Sequence, residues 1–145
     1  MSVFQKKSKS HLECNMFFDE PVDIARYDVV KYPQLEKITD KQLGFFWRPE
    51  EVDVSKDRAD FSKLTSYEQH IFTSNLLRQT ALDSLQGRGP TQVFTPVCSL
   101  PEVESLCLNW GFFETNIHSR SYSHIIRNIY NVPKDVFNSI HTTDE

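Results

Sequence analysis

The sequence predicts an all-α protein. Strand signals are poor: no sustained alternation of apolar and polar residues occurs, and no Asn-Gly or Asp-Gly hairpin turn. Start and stop signals instead delimit long helical segments, with a capping pattern at "TSYEQ" and prolines at 33, 49, 101 and 133. Within the two longest of these segments, apolar residues fall on shared helical faces.

The elements follow in order. Residues 1–32 read as an irregular arm, polar at first and then "MFFDEPVDIARYDVVKYP", with Phe17, Phe18 and Tyr27 as its packing residues. Residues 33–145 read as one helical body. Its first helix follows Pro33 through "QLEKITDKQLGFFW" and stops before Pro49, because proline disfavours helix in the residue before it. Residues 49–64 read as a charged loop. A second helix opens at Thr65 or Ser66, each with a Glu or Gln three residues on, the pattern of a capping box. It runs through "TSNLLRQTALDSLQ" to Gly87. Residues 88–100 read as a connector. Pro101 suits the first turn of a third helix, and Glu102 and Glu104 are favourable near its N-terminus. That helix is expected to reach about Tyr130, where "NVP" breaks it before a short segment, "KDVFNSI".

Composition narrows the function. The chain has 145 residues, 39% hydrophobic and 25% charged, which is ordinary for a soluble globular protein. Its 11 phenylalanines need an interior. A net charge of −4 with no basic block argues against a nucleic-acid partner. Cys14, Cys98 and Cys107 are odd in number and widely spaced, which fits neither a disulfide framework nor a cysteine zinc site, so reduced thiols are expected. The N-terminus lacks the apolar run of a signal peptide, and no apolar stretch approaches the ~18 residues of a membrane span. A cytoplasmic protein without a membrane partner is expected.

The third helix carries an oddity. At ~100° per residue, with Glu114 at zero, His118 lies at about 40° and Tyr122 at about 80°. Cys107, Leu108, Gly111, Ile125 and Ile129 share that sector, while Arg120 and Arg127 lie opposite. On the second helix Asp83 clusters with Phe72, Leu76 and Gln79. A buried, unpaired carboxylate is costly, and a metal cation is one way to compensate it. Each residue also has an ordinary reading. Glu and His at this spacing form surface pairs, Asp83 can cap a helix or pair with arginine, and Tyr122 can be a core tyrosine. Two such carboxylates on successive helices, with His and Tyr beside them, favour the metal. Carboxylate-rich sites with few histidines suit iron or manganese, as in bundle cores of the ferritin-like kind.

Three strings sharpen this: "FFWRPEEVDVSKDR", "HIFTSNLLRQTALDSLQGRGP" and "IHSRSYSHIIRNIYNVP". They strongly resemble the small, radical-generating subunit of class I ribonucleotide reductase, and the resemblance runs from about Met16 to the last residue, "MFFDEPVDIARYD" matching that family's N-terminal arm. The resemblance implies a ferritin-like helical bundle that holds a dinuclear iron centre, two iron ions per complete subunit, with manganese as the alternative metal. Oxygen reacting at the reduced metals leaves a stable tyrosyl radical, which is passed to a large subunit that reduces ribonucleotides to deoxyribonucleotides. It further implies that Asp83 and His118 are ligands of the first metal, that Glu114 bridges the two, that Tyr122 carries the radical, and that Trp47 serves radical transfer.

Two departures accompany the resemblance. The family spaces its ligands as E-x-x-H, whereas Glu114 and His118 have three residues between them, a surplus that a local π-bulge would absorb. The family also has two further helices, with another Glu and a second E-x-x-H, and a C-terminal tail that docks on the large subunit. The chain therefore reads as the N-terminal portion of such a subunit, an incomplete bundle with half of the ligand set, inactive alone. Its expected partners are the large subunit, a complementing C-terminal fragment and a homodimer partner. Apolar helix faces, such as that of Phe72 and Leu76, should be left exposed. Two competing readings stand beside this: another di-iron oxidase of related fold, and a non-catalytic remnant that binds a full-length small subunit.

Overall fold

Proline sets where the helices begin. In the structure, a computed structural model that describes residues 7–142, Pro33, Pro101 and Pro133 each occupy a first helical position, where a missing N–H costs nothing. Among the described residues six α-helices form: α1 (Pro33–Leu43), α2 (Asp57–Phe61), α3 (Ser66–Gln86), α4 (Pro101–Phe112), α5 (Ser119–Ile129) and α6 (Pro133–Ser139). Among the described residues, extended pairing is confined to one antiparallel bridge between Phe17 and Cys98. Residues 1–6 of the expected arm and the last three residues lie outside the described part. The chain separates into two compact units.

The first unit joins the residues up to Phe46 with Gly87–Phe113. In it, Glu102 is wholly buried. Its Oε1 accepts the backbone N–H groups of Lys31 and Tyr32, both at 3.0 Å, and so meets the start of α1. At the other end of α1, Asn109 Nδ2 donates to Gln42 Oε1 at 2.8 Å. α1 and α4 thus lie side by side and run in the same direction. Cys14, Cys98, Leu100, Val103 and Cys107 form the core, joined by Met16, Phe17, Val22, Tyr32 and Leu35. The three cysteines are free and buried, and burial pushes the Cys98 thiol up to about 12.

Three expectations need correction here. α1 stops at Leu43, short of Trp47. The connector after Gly87 is not irregular throughout, since Pro90–Phe94 forms a π turn and Thr95–Val97 a 3₁₀ turn, pieces too short to show periodicity. Of the three arm aromatics, only Phe17 packs inward, against the core and against the Phe94 ring at 6.2 Å. Phe18 is 84% exposed and Tyr27 49%. Phe18 follows the bridge in the left-handed backbone region, at a φ of 61°, and its side chain faces out.

The close approach of α4 to the 87–91 segment requires glycine at one point. A Cβ on Gly111 would meet Thr91 Cγ2 at 2.5 Å and the Gly87 carbonyl oxygen at 3.1 Å.

The second unit joins Trp47–Gln86 with the residues from Glu114 onward. α3 opens with the expected capping box, built by Thr65: Glu68 N–H donates to Thr65 Oγ1 at 3.3 Å, and Thr65 N–H donates to the Glu68 carboxylate at 2.8 Å. α3 packs on α5, and a 2.6 Å hydrogen bond between the hydroxyls of Thr73 and Tyr130 ties the two together. The expected loop over 49–64 contains a 3₁₀ turn, Pro49–Glu51, and α2, both packed on α5. From α2, the Arg58 guanidinium reaches the end of α5. Nε donates to Asn128 O at 2.9 Å, and Nη2 to Tyr130 O at 3.3 Å and Arg127 O at 3.4 Å. These are the carbonyls a helix C-terminus leaves unpaired. Val54, Leu76, Ile117, Ile126 and Ile129 are buried in this unit. Ile71, Phe72, Leu82 and Leu85 are exposed along α3, whereas Leu76, expected on that face, is only 5% exposed because it turns toward the interior.

Candidate metal centre

The expected third helix does not run unbroken. Between α4 and α5 the backbone of Phe113–His118 forms a π turn, in the segment where the sequence carries a surplus residue. A turn closed i→i+5 contains one residue more than an α-turn. The fourth residue on then stands close to where the third stands in an α-helix. Glu114 and His118 are brought together in this way: the imidazole Nδ1 lies 2.9 Å from Glu114 Oε2. A carboxylate only accepts, so Nδ1 carries the proton and donates.

Asp83, from α3, completes the cluster. Its Oδ2 lies 3.7 Å from His118 Nδ1 and accepts the Tyr122 hydroxyl at 2.7 Å. One ligand atom from each of Asp83, Glu114 and His118 falls within 4.8 Å of the others. The carboxylate side chains are 19% and 16% exposed and the imidazole 42%, so the cluster is open on the histidine side. Two carboxylates and an imidazole fit a divalent cation of the iron or manganese kind, which favours oxygen and imidazole donors.

The phenol of Tyr122 is held well above the usual tyrosine range. Burial is the largest cause, followed by the hydrogen bond to Asp83 and the negative charges of Asp83 and Glu114. Tyr122 also borders a shallow groove of about 430 Å³ with Phe72, Leu76, Gln79 and Ile125. Ile126 and Ile129, expected around the phenol's helix, are buried.

Four of the five sequence-predicted residues therefore converge. Trp47 does not join them: it is half-buried just ahead of the Pro49–Glu51 turn, and the contacts that tie the cluster together do not include it. Sequence reasoning missed the Tyr122–Asp83 hydrogen bond, since helical faces say which residues share a side and not which atoms meet. It also missed Arg58, whose place in a charged stretch gave no signal.

A helical fold with an Asp–Glu–His cluster beside a half-buried phenol defines the class: all-α proteins that can build a carboxylate-rich metal centre between helices. The chain belongs to the family described as ribonucleotide reductase, small chain, whose sequence model matches residues 25–145. A ribonucleoside-diphosphate reductase subunit beta from Buchnera aphidicola subsp. Acyrthosiphon pisum is 55% identical over 139 residues, 96% of this chain and 37% of that protein. Ribonucleoside-diphosphate reductase 1 subunit beta from Escherichia coli O157:H7 is 53% identical over 144 residues, 99% of this chain and 38% of that protein. Among solved structures, a ribonucleotide reductase R2 subunit from Clostridium botulinum superimposes with a TM-score of 0.83 at 23% identity, over 96% of this chain and 44% of that one. The fold is thus the ferritin-like helical fold of the small subunits. The chain spans less than two fifths of the length of the two beta subunits. Among the described residues, no helix is long and apolar enough to cross a membrane.

Proposed function

We propose that the chain supplies part of the metal and radical centre of a ribonucleoside-diphosphate reductase small subunit. Asp83, Glu114 and His118 are its metal ligands and Tyr122 its radical residue. Trp47 serves radical transfer, an assignment that rests on "FFWRPEE". The metal is iron, with manganese as the alternative. The partners are the reductase large subunit, a second small subunit and a complementing C-terminal fragment. The observation that carries this reading is the convergence of both carboxylates, the imidazole and the phenol, joined by two hydrogen bonds and a 3.7 Å contact between Asp83 and His118.

When bound, the metal supplies the oxidising power that draws an electron from the phenol. The chain's own residues handle the proton. Because Tyr122 is held above the ordinary phenol range, it is neutral at physiological pH, and losing an electron requires losing the O–H proton as well. Asp83 Oδ2, at 2.7 Å, is the acceptor in place. His118 would offer the cation an unprotonated ring nitrogen of a neutral imidazole.

Co-expression of the chain with the remaining portion of a related subunit beta tests the reading. Iron analysis and electron paramagnetic resonance should find metal and a tyrosyl signal in the complemented protein, and neither in stoichiometric amount in the chain alone. A complemented protein that folds but takes up no iron would refute it.

A further inference from the structure

We propose that Ser119 is a positioning residue for the candidate centre. Its hydroxyl fastens the π turn that lets Glu114 and His118 act as a ligand pair with three residues between them. The inference rests on the metal reading above and extends it to a residue that holds the ligands without touching the metal.

The evidence lies in where side-chain hydroxyls reach. Along α3 and α5 they return to the carbonyl four residues back: Thr73 to Gln69, Thr80 to Leu76, Ser84 to Thr80, Ser121 to Ile117 and Ser123 to Ser119. That is the usual back-bond of Ser and Thr in an α-helix. Ser119 differs. Its Oγ donates five residues back, to the Glu114 carbonyl at 2.9 Å. The same reach occurs at Thr95, whose Oγ1 donates to Pro90 O at 3.1 Å, and there too the segment crossed, Pro90–Phe94, is a π turn. At both π turns, then, a hydroxyl just past the wide turn bonds the carbonyl that the i→i+5 ring brings within reach.

The position of that bond gives it its role. It is anchored on the backbone of Glu114, one ligand, by the residue adjacent to His118, the other. Without the wide turn, His118 would stand about 40° around the helix from Glu114, on the other side from where the wide turn puts it. The imidazole could still meet Glu114, as i,i+4 pairs do, but the two ligands would present a different angle to a metal. The pairing angle seen with the 2.9 Å and 2.7 Å contacts of His118 and Tyr122 therefore requires the π turn. Shortening the turn by one residue removes that requirement. With Asn116 deleted, Glu and His stand three apart, the spacing that serves an ordinary α-helix in bundle-core carboxylate centres. The Ser119 hydroxyl then has no wide turn to fasten.

This dependence is testable on the full 145-residue chain. Ser119→Ala, Ser119→Thr, deletion of Asn116, and the deletion combined with Ser119→Ala are compared by amide hydrogen exchange over residues 115–122 in the chain and by cobalt(II) titration of the same variants complemented with the remaining portion of a related subunit beta. Ser119→Ala should speed exchange about fivefold, the worth of one hydrogen bond, and weaken cobalt binding by a similar factor. Ser119→Thr, which keeps the hydroxyl, should restore both. In the deletion chain Ser119→Ala should change neither. An equal effect with and without Asn116 would reduce the bond to an ordinary helix contact and overturn the proposal. So would a deletion chain that does not fold, or faster exchange with cobalt affinity unmoved. If the complemented parent protein binds no cobalt, the metal reading fails, and the exchange comparison still decides whether Ser119 holds the turn.

Discussion

The Tyr122 hydroxyl donates to Asp83 Oδ2 at 2.7 Å, and the same oxygen lies 3.7 Å from His118 Nδ1. A single carboxylate oxygen therefore connects the phenol to the ligand cluster. Tyr122→Phe removes that one bond and leaves the packing of Ile126 and Ile129 in place. In a protein complemented with the missing portion, metal uptake should remain near normal while the radical signal and turnover with the large subunit disappear. A tyrosyl signal that survives unchanged would place the radical on another residue.

His118→Ala should act differently. It removes a ligand and the partner of Glu114, so metal content itself should fall, by tenfold or more on the scale of losing even an outer-shell partner. Iron analysis of the two variants side by side separates the roles.

Alkaline pH offers a metal-free check. The folded state holds the Tyr122 proton more tightly than the unfolded chain does. Stability from this group is therefore complete below the ordinary phenol value of about 10 and declines as pH rises above it. Tyr130 is shifted in the same direction, chiefly by burial. Absorbance titration should show these phenols ionising only as the chain unfolds, and Tyr122→Phe should make the alkaline loss of stability shallower.

Gly111→Ala should destabilise the first unit by about 1–3 kcal/mol, the usual cost of forcing an extra methyl into a packed site. Thr91→Ser removes the methyl that the new Cβ would strike at 2.5 Å and should recover part of the loss. Denaturant unfolding of the single and double variants measures this. A Gly111→Ala chain as stable as the parent would show that α4 can back away from the 87–91 segment.

The exposed side chains of Ile71, Phe72, Leu82 and Leu85 should make the isolated chain associate, as contiguous apolar surface does. Sedimentation should show larger species at rising concentration, and Leu82→Lys with Leu85→Lys should reduce them.

Much of this was legible in residue patterns. α3 announced itself through its capping box and its length, and Asp83, Glu114, His118 and Tyr122 through carboxylates set on apolar faces. The π turn was foreshadowed by the surplus residue between Glu114 and His118. What escaped was short or depended on distant partners. α2 has five residues, less than two helical turns, so no periodicity can accumulate. Phe18 looked like a packing residue because composition does not show that the backbone there turns into the left-handed region. Leu76 and Phe72 share a helical sector, yet only Leu76 is buried, because burial is decided by what the rest of the chain places opposite. Trp47 remains tied to its surrounding string, since the hydrogen bonds that join the cluster do not involve it.

The Arg58 cap has a consequence for synthesis. Its acceptors, the carbonyls of Arg127, Asn128 and Tyr130, come about 70 positions later in the chain, and the Tyr122 partner of Asp83 comes 39 positions later. At about 5–20 residues per second, a ribosome completes the second interval in roughly 2–8 s. Throughout that interval α3 has been made but the helix it packs on has not, and its apolar side chains face water or whatever binds nascent chains. The second unit cannot close before the codon for Tyr130 has been read. Slow codons between Gln86 and Tyr130 would lengthen the interval in which α3 lacks its partner.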